Sequence, residues 1–316
     1  MTIQQLIYAQ ALAKFSNYSR AAESLSISQP ALSLQIKKLE DELGFSIVDR
    51  SAKQISITRK GHIFLERSRL LINESQQLRT LAKELKDDKS GVLKIGIIPT
   101  LAPYLLPLFI DQLNDTYRDV QILIKEALTQ EIIQDLQSGE LHGGIISTPI
   151  TSSIEFEVTP LFYEKFQLFV SHEHPLYLHN TIDIKDIPLA DVRLLKEGNC
   201  FRDQVKNICE LAKQTDRYSR FQFESSSIES LCRIVEFRGG ITFLPELTTM
   251  HLSAEREDMI KELKGVQKVR EISLIHLPNH IFTENLNLFG SVIKENLPKH
   301  MLDAKRGKKI PTNINL

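Results

Sequence analysis

Residues 19–51 read "SRAAESLSISQPALSLQIKKLEDELGFSIVDRS", and the fold of the N-terminal end turns on them. Ala21, Ala22 and Leu25 keep helical spacing, and the "SIS" that follows breaks it. Gln29 and Pro30 open a second helix. Ser28 stands where an N-cap hydroxyl accepts from first-turn N–H groups, and proline is tolerated in that turn because its missing N–H would have no helical partner there. Leu32, Ile36, Leu39 and Leu43 recur at steps of three and four and form a stripe that must be buried. The other face shows Ser33, Gln35, Lys37 and Lys38. Two short helices joined by a tight turn, with small polar and basic residues on the second, describe a helix-turn-helix. A plain helical hairpin with a solvated face shares the pattern, so polar residues on one face alone do not decide between them.

Outward from this stretch, "DRSAKQISIT" (49–58) has the form of two short strands and a turn, a wing beside the helices. From Arg59 to Asp88 apolar residues recur at Ile63, Leu70, Leu71, Leu78, Leu81 and Leu85 among abundant charge, with no proline and no glycine after Gly61. A helix of some 25 residues with one apolar stripe is not stable alone and wants a partner helix. "KDDKSG" (86–91) marks a boundary. The expected organisation is a DNA-binding type of head over 1–60, a linker and dimerisation helix over 61–90, and a body over 91–298. A polar, basic tail over 299–316 is expected to fray.

In the body, "VLKIGIIPT", "VQILIKEAL" and "HGGIISTP" are strand-like and are separated by the helical patterns "LAPYLLPLFIDQLNDTY" and "TQEIIQDLQSGEL". Such alternation implies right-handed βαβ units and a largely parallel sheet. The pattern restarts at "FQLFVS", runs through "RLLKEG" and "FQFESS", and reaches "GGITFLP"; "REISLIHLP" and "TENLNLFGSVIKENL" return to the first sheet. The fold class is therefore α/β: two subdomains, about 91–162 plus 269–298 and about 163–268, with a hinged cleft between them as in periplasmic binding proteins. Open α/β sheets bind ligands at strand carboxyl ends and helix N-termini. Thr100, Thr129, and Gly198 with Asn199 and Cys200 occupy such ends.

Composition narrows the function classes. The 316 residues are 42% apolar and 25% charged with no Trp, which excludes disordered, collagenous and membrane-spanning types. The N-terminus lacks the features of a signal peptide, so a cytoplasmic location is expected. Residues 1–60 carry eight Lys and Arg against five Asp and Glu, while the whole chain sums to −1, a mildly basic head on an acidic body. His and Cys spacings fit no metal site, and no glycine-rich phosphate cradle occurs, so no metal and no cofactor are expected.

Two of the three cysteines, Cys200 and Cys209, fall in "KEGNCFRDQVKNICELAKQ" (196–214), which has the pattern of one helix. Nine residues of helix amount to about 900° of rotation and roughly 13 Å of rise, whereas a disulfide needs Cα atoms within about 7 Å. The pair can join only if the helix comes apart; two unrelated buried thiols are the plainer alternative. A cysteine in the first turn meets unpaired N–H groups and the positive end of the dipole, and Arg202 adds charge if it folds back. Those surroundings are expected to pull the thiol down to about 7 or below. Asp203 fits a first-turn carboxylate that stabilises the helix start. Cys232 sits among apolar neighbours as a buried, inert thiol.

The segment "RAAESLSISQPALSLQIKKLEDELGFSIVDRS" with "ITRKG" resembles the winged helix-turn-helix of LysR-type transcriptional regulators. The resemblance implies a recognition helix in the major groove, with Ser28 at its start and Gln29, Ala31, Ser33 and Gln35 facing base edges. Arg20, Lys37, Lys38, Arg50 and Lys53 would meet phosphates of double-stranded DNA. It also implies antiparallel pairing of linker helices in a homo-oligomer, a dimer of dimers, with RNA polymerase as a further partner and no enzymatic activity.

A narrower resemblance covers nearly the whole chain. "IGIIPTLAPYLLP", "EALT", "EGNCFRDQ", the cysteine nine residues later and "GGITFLP" are similar to the peroxide-sensing OxyR branch of that family. It implies that Cys200 is the peroxidatic thiol and Cys209 the resolving one, joined in a reversible disulfide that a thiol reductant resets. Thr100, Thr129, Gly198 and Asn199 would line the hydrogen peroxide pocket, supported by Arg202 and Asp203. The branch commonly has His where this chain has Asn199; Asn can donate a hydrogen bond but cannot carry a proton near pH 7. Three rivals stand beside this reading: a LysR-type regulator with a small organic effector and incidental cysteines, a thiol enzyme using Cys200, and a solute-binding protein.

Overall fold

Thr2 opens the first helix, α1 (Ile3–Phe15), with a capping box closed by Gln5. The structure, a computed structural model, describes residues 1–49, 55–84, 91–118, 120–151, 155–209, 225, 227–250, 252–265 and 267–312. The chain forms two compact units, one built on Met1–Asp88 and the other on Lys89–Leu136 with Leu141–Leu316.

In the first unit α2 (Tyr18–Ser24) is capped by Asn17, and α3 (Gln29–Leu43) by Ser28, whose hydroxyl accepts from Ala31 N at 3.4 Å. Pro30 lies in the first turn, and Gly44 ends α3 at φ +72°. Leu32, Ile36 and Leu39 are fully buried against α1 and α2, as their spacing requires. Buried Glu40 ties α3 to the strand that follows, its Oε1 accepting from Ile47 N and Val48 N at 2.8 and 2.9 Å. That strand, β1 (Val48–Asp49), pairs antiparallel with β2 (Ser56–Ile57) at the base of the wing. Arg50 and Lys53 lie outside the described residues.

α4 (Arg59–Glu84) starts where Thr58 Oγ1 accepts from Gly61 N and donates to Ser46 O. A Cβ on Gly61 would sit 2.4 Å from Ile47 O, a backbone atom that cannot step aside. Gly61→Ala is therefore expected to destabilise this unit by about 1–3 kcal/mol, the usual cost of overpacking, as read by denaturant unfolding; an unchanged midpoint would refute the close approach. Leu65 and Ser68 of α4 are buried, whereas Ile63, Leu70, Leu71 and Leu78 are exposed. The side chains of Leu81 and Leu85 lie outside the described residues.

The second unit begins with β3 (Gly91–Ile97), α5 (Ala102–Thr116), β4 (Val120–Glu126), α6 (Thr129–Ser138) and β5 (Gly143–Thr148). β3 lies between β4 and β5 and is parallel to both, as alternating strands and helices predict. Next come β6 (Glu157–Val170), β7 (Thr181–Ile182), β8 (Val192–Arg193), α7 (Cys200–Ile208), α8 (Ile228–Arg238) and β9 (Ile241–Pro245). The short helices α9 (Glu246–Thr249) and α10 (Ala254–Glu257) lead to β10 (Ile260–Leu263), β11 (Lys268–His276), α11 (Thr283–Glu295) and β12 (Lys308–Lys309).

The sheet runs β4-β3-β5-β11-β6-β10-β7 and is mixed, because β11 is antiparallel to both β5 and β6. β6 is the shared member: its first half pairs with β11, and Phe166–Val170 pairs with β9. The strand expected at 166–171 thus starts nine residues earlier, at Glu157. Pro160 disguised it. A proline cannot donate to a ladder, and here the register with β11 slips at Ile272/Ser273, the kind of irregularity that accommodates one. "RLLKEG" shrinks to the two residues of β8, and "FQFESS" lies almost wholly outside the described residues.

Two apolar cores follow from the β6 division. The first gathers Leu93, Ile95, Phe109, Ile145, Phe162 and Phe289, and the second Phe166, Phe169, Val205, Val235 and Phe243. The tail is a correction: residues 299–312 do not fray. β12 pairs parallel with β11, and Met301, Ile310 and Thr312 are buried. Among the described residues no helix is long and apolar enough to cross a membrane.

Candidate functional site

Gly198 turns the chain into α7 at φ +81°, a conformation L side chains rarely adopt. Asn199 caps the helix, its Oδ1 accepting from Phe201 N at 3.1 Å. Cys200 is then the first helical residue, only 3% exposed. Thr129, at the start of α6, donates its hydroxyl to Cys200 Sγ at 3.6 Å. Thr100, in the turn after β3, reaches the group through a residue that the sequence did not single out, Arg270 on β11. Arg270 Nη1 donates to Thr100 Oγ1 at 3.0 Å.

Arg270 is fully buried. Its Nε pairs with Glu164 Oε1 at 2.6 Å, and its guanidinium lies 5.0 Å from the centre of the Phe201 ring. Glu164 is equally buried and also accepts from Leu247 N at 3.1 Å. Burial pushes the Glu164 carboxyl up, against the pull of Arg270 and the Leu247 N–H. Two buried donors here, Asn199 Nδ2 and Arg270 Nη2, have no hydrogen-bond partner among the described residues. Such donors are costly in a protein interior unless a ligand or water uses them.

The electrostatics of Cys200 correct one expectation. Burial pushes its thiol up; the Thr129 hydroxyl, the Arg270 charge and the Phe201 N–H oppose this, and Asp203 reinforces it. The Phe201 N–H at the helix terminus pulls in the expected direction, but removing a thiolate from water outweighs it. Arg202 is not folded back onto the thiol. Its Nη1 donates to Leu195 O at 2.7 Å and its Nη2 lies 3.6 Å from Glu197 Oε1. Asp203, half-buried in the first turn, is pushed up chiefly by burial.

Cys209 is the C-cap of α7, one residue beyond the last helical one, so the two thiols stand at opposite ends of the helix. The helix is shorter than the 196–214 stretch suggested; residues 210–224 lie outside the described residues. The two thiols also belong to different cores, Cys200 to the first and Cys209 to the second. Burial raises Cys209 to about 11 against the nearby Lys268. Cys232, on α8 in the second core, is raised by burial to about 12. All three cysteines are free.

In the N-terminal unit, Ser28, Gln29, Ala31, Lys37 and Lys38 are exposed along one helix, with Ser33 and Gln35 half-buried. Gln35 Oε1 accepts from Gln5 Nε2 at 3.3 Å, so its amide is partly committed inside the unit. Leu34, which its spacing did not flag, is 53% exposed on the same helix. Arg20 is exposed, its guanidinium 5.9 Å from the Phe15 ring centre.

A helix-turn-helix with a wing base and a long helix in one unit, and a two-core α/β fold in the other, define a class of bacterial regulator. Residues 3–62 match the "Bacterial regulatory helix-turn-helix protein, lysR family", and residues 86–298 match the "LysR substrate binding domain". The chain belongs to the LysR family of DNA-binding transcriptional regulators.

Among individual proteins, it is 30% identical to the "Hydrogen peroxide-inducible genes activator" of Haemophilus influenzae, over 96% of this chain and 99% of that one. It is 31% identical to the "DNA-binding transcriptional dual regulator OxyR" of Escherichia coli, over 95% and 97% of the two chains. Among solved structures, a full-length OxyR variant from Pseudomonas aeruginosa matches with TM-score 0.67 and 29% identity, covering 93% of this chain and 95% of that one.

Proposed function

We propose that this chain is a peroxide-responsive regulator of transcription, switched by a reversible disulfide between Cys200 and Cys209. The observation that carries the reading is the grouping of a helix-terminal thiol with the Thr129 hydroxyl, the Arg270 charge and two unpartnered donors, a second thiol closing the same helix. The relatives' names point the same way.

Cys200 thiolate attacks one oxygen of hydrogen peroxide; the O–O bond breaks, sulfur becomes a sulfenic acid, and hydroxide leaves. Thr129 donates toward the sulfur, and Thr100, whose oxygen already accepts from Arg270, donates to no acceptor among the described residues and would donate to peroxide. Hydroxide takes a proton and departs as water. Cys209 thiolate then attacks the sulfenic sulfur and releases a second water. Two thiols and one peroxide thus give one disulfide and two waters, and a thiol reductant returns two electrons and two protons.

The geometry makes this a conformational event. Nine residues of helix hold the two ends roughly 13 Å apart along the axis, beyond the span a disulfide tolerates. α7 must therefore unwind, and the S–S bond supplies the free-energy difference between the wound and unwound states. In the head, Ser28, Gln29, Ala31, Ser33 and Gln35 would face bases, and Arg20, Lys37, Lys38, Arg50 and Lys53 phosphates. The exposed stripe on α4 supports pairing of chains in a dimer of dimers that meets RNA polymerase in the cytoplasm.

Footprinting on the protein's own upstream DNA, with peroxide and then dithiothreitol, tests the reading. The expected result is a peroxide-dependent change in wild type that reverses with reductant and is absent in Cys200→Ser. An equal response in the variant overturns the assignment. Affinity should also fall steeply with added salt as phosphate contacts release counterions; a flat salt dependence removes the basic head from DNA.

A further inference from the structure

The C-terminal segment grips the helix that separates the two thiols. Arg306 pairs with both carboxylate oxygens of Glu246 at 2.7 Å and donates to Tyr163 O at 2.9 Å. Gly307 passes so close to the chain before β11 that a Cβ would sit 2.4 Å from Gln267 O. β12 then runs along β11, Ile310 N donates to Val269 O at 3.0 Å, and Thr312 Oγ1 donates to Pro149 O at 2.8 Å.

The carbonyls of this segment meet α7. Gln204 Nε2 donates to Ile310 O at 2.8 Å, and Asn207 Nδ2 to Pro311 O at 3.3 Å. Gln204, fully buried, also bonds Ser147 on β5. Lys268, the register partner of Lys308, donates Nζ to Ile208 O at 3.3 Å, one of the last carbonyls of α7. A helix of nine residues is too short to hold itself together in water. Its order depends on neighbours, and these contacts are made from its middle and last turn.

We infer that residues 307–312 form a latch that keeps α7 wound in the reduced protein and must release before Cys209 can reach Cys200; its role as a gate rests on the thiol-switch reading above. Unwinding α7 carries Gln204 and Asn207 away from the Ile310 and Pro311 carbonyls, so helix and latch let go together. Coupling of this kind is reciprocal: detaching the segment favours the unwound helix as much as unwinding favours detachment.

Amide hydrogen exchange on the reduced full-length protein tests the latch, comparing wild type with a chain ending at Arg306 and with Gly307→Val, which forces β12 off β11 without shortening the chain. The expected result is opening of α7 accelerated about tenfold or more, for loss of two or more hydrogen bonds, with α5 unaffected. Unchanged protection of α7 overturns the latch. Should the truncated chain fail to fold, Gly307→Val decides alone. Thiol trapping after peroxide tests the gate: bridging should be faster in both variants, while sulfenic acid, trapped in a common Cys209→Ser background, should form equally fast with the latch intact or released. Faster exchange with an unchanged bridging rate overturns the gate. Absence of any bridge in wild type defeats the thiol switch instead, and the exchange result still decides the latch.

Discussion

Replacing Arg270 by methionine is expected to slow peroxide oxidation of Cys200 by about tenfold to a hundredfold, since an adjacent positive charge shifts a titrating group by about one unit or more. The same change should cost about 3–5 kcal/mol of stability, because one partner of a buried ion pair is left behind. Both effects follow from one side chain that bonds Glu164, holds Thr100 and lies against Phe201, all out of contact with water. A second variant separates them. Arg270→Met with Glu164→Gln removes the stranded charge and keeps an acceptor for Leu247 N. Stability should then recover most of the loss, whereas the oxidation rate should stay low. Recovery of both together would show that Arg270 acts only by holding the fold. Denaturant unfolding and mass spectrometry of trapped sulfenic acid read the two quantities.

The pH profile of the same oxidation should be steep. Only the thiolate reacts, and the Cys200 thiol is pushed above its ordinary range. Below such a pKa the thiolate fraction, and with it the rate, rises about tenfold per pH unit. Between pH 6 and pH 8 that is about a hundredfold, with no plateau near neutrality. Asn199 cannot titrate, so nothing in the cap should bend the curve. Asn199→His would place an imidazolium at the helix start below about pH 6.5. That charge should sustain the thiolate on the acid side and flatten the lower limb. A flat wild-type profile would mean that the thiolate is already formed, and that the polar neighbours outweigh burial.

Much of this molecule was legible in the chain because local rules governed it. Ser28, Pro30 and the Leu32–Ile36–Leu39 stripe specify α3 without help from elsewhere. β3, β4 and β5 declare themselves by alternating with helices. Thr129 and Cys200 could be placed together because each opens a helix beside the sheet. What escaped was set by distant contacts. Arg270 sits in a strand with an ordinary apolar pattern, and its value comes from Glu164 and Thr100, 106 and 170 residues away. Arg202 looked closer to the thiol in sequence, yet its side chain satisfies Leu195 and Glu197. The tail looked too polar to fold, but Lys309 pairs with Glu271, and the backbone of β12 joins β11.

β6 limits how the C-terminal unit can move. One uninterrupted strand of 14 residues lends its first half to one core and its second to the other. Two cores that share such a spar do not swing like a door, since tilting one against the other would shear the ladder on both sides of Lys165 and Phe166. Compliance has to be found elsewhere, in elements seated on the spar rather than in the spar itself. In the switch proposed here the sheet would keep its shape, and the short, externally braced α7 would do the moving.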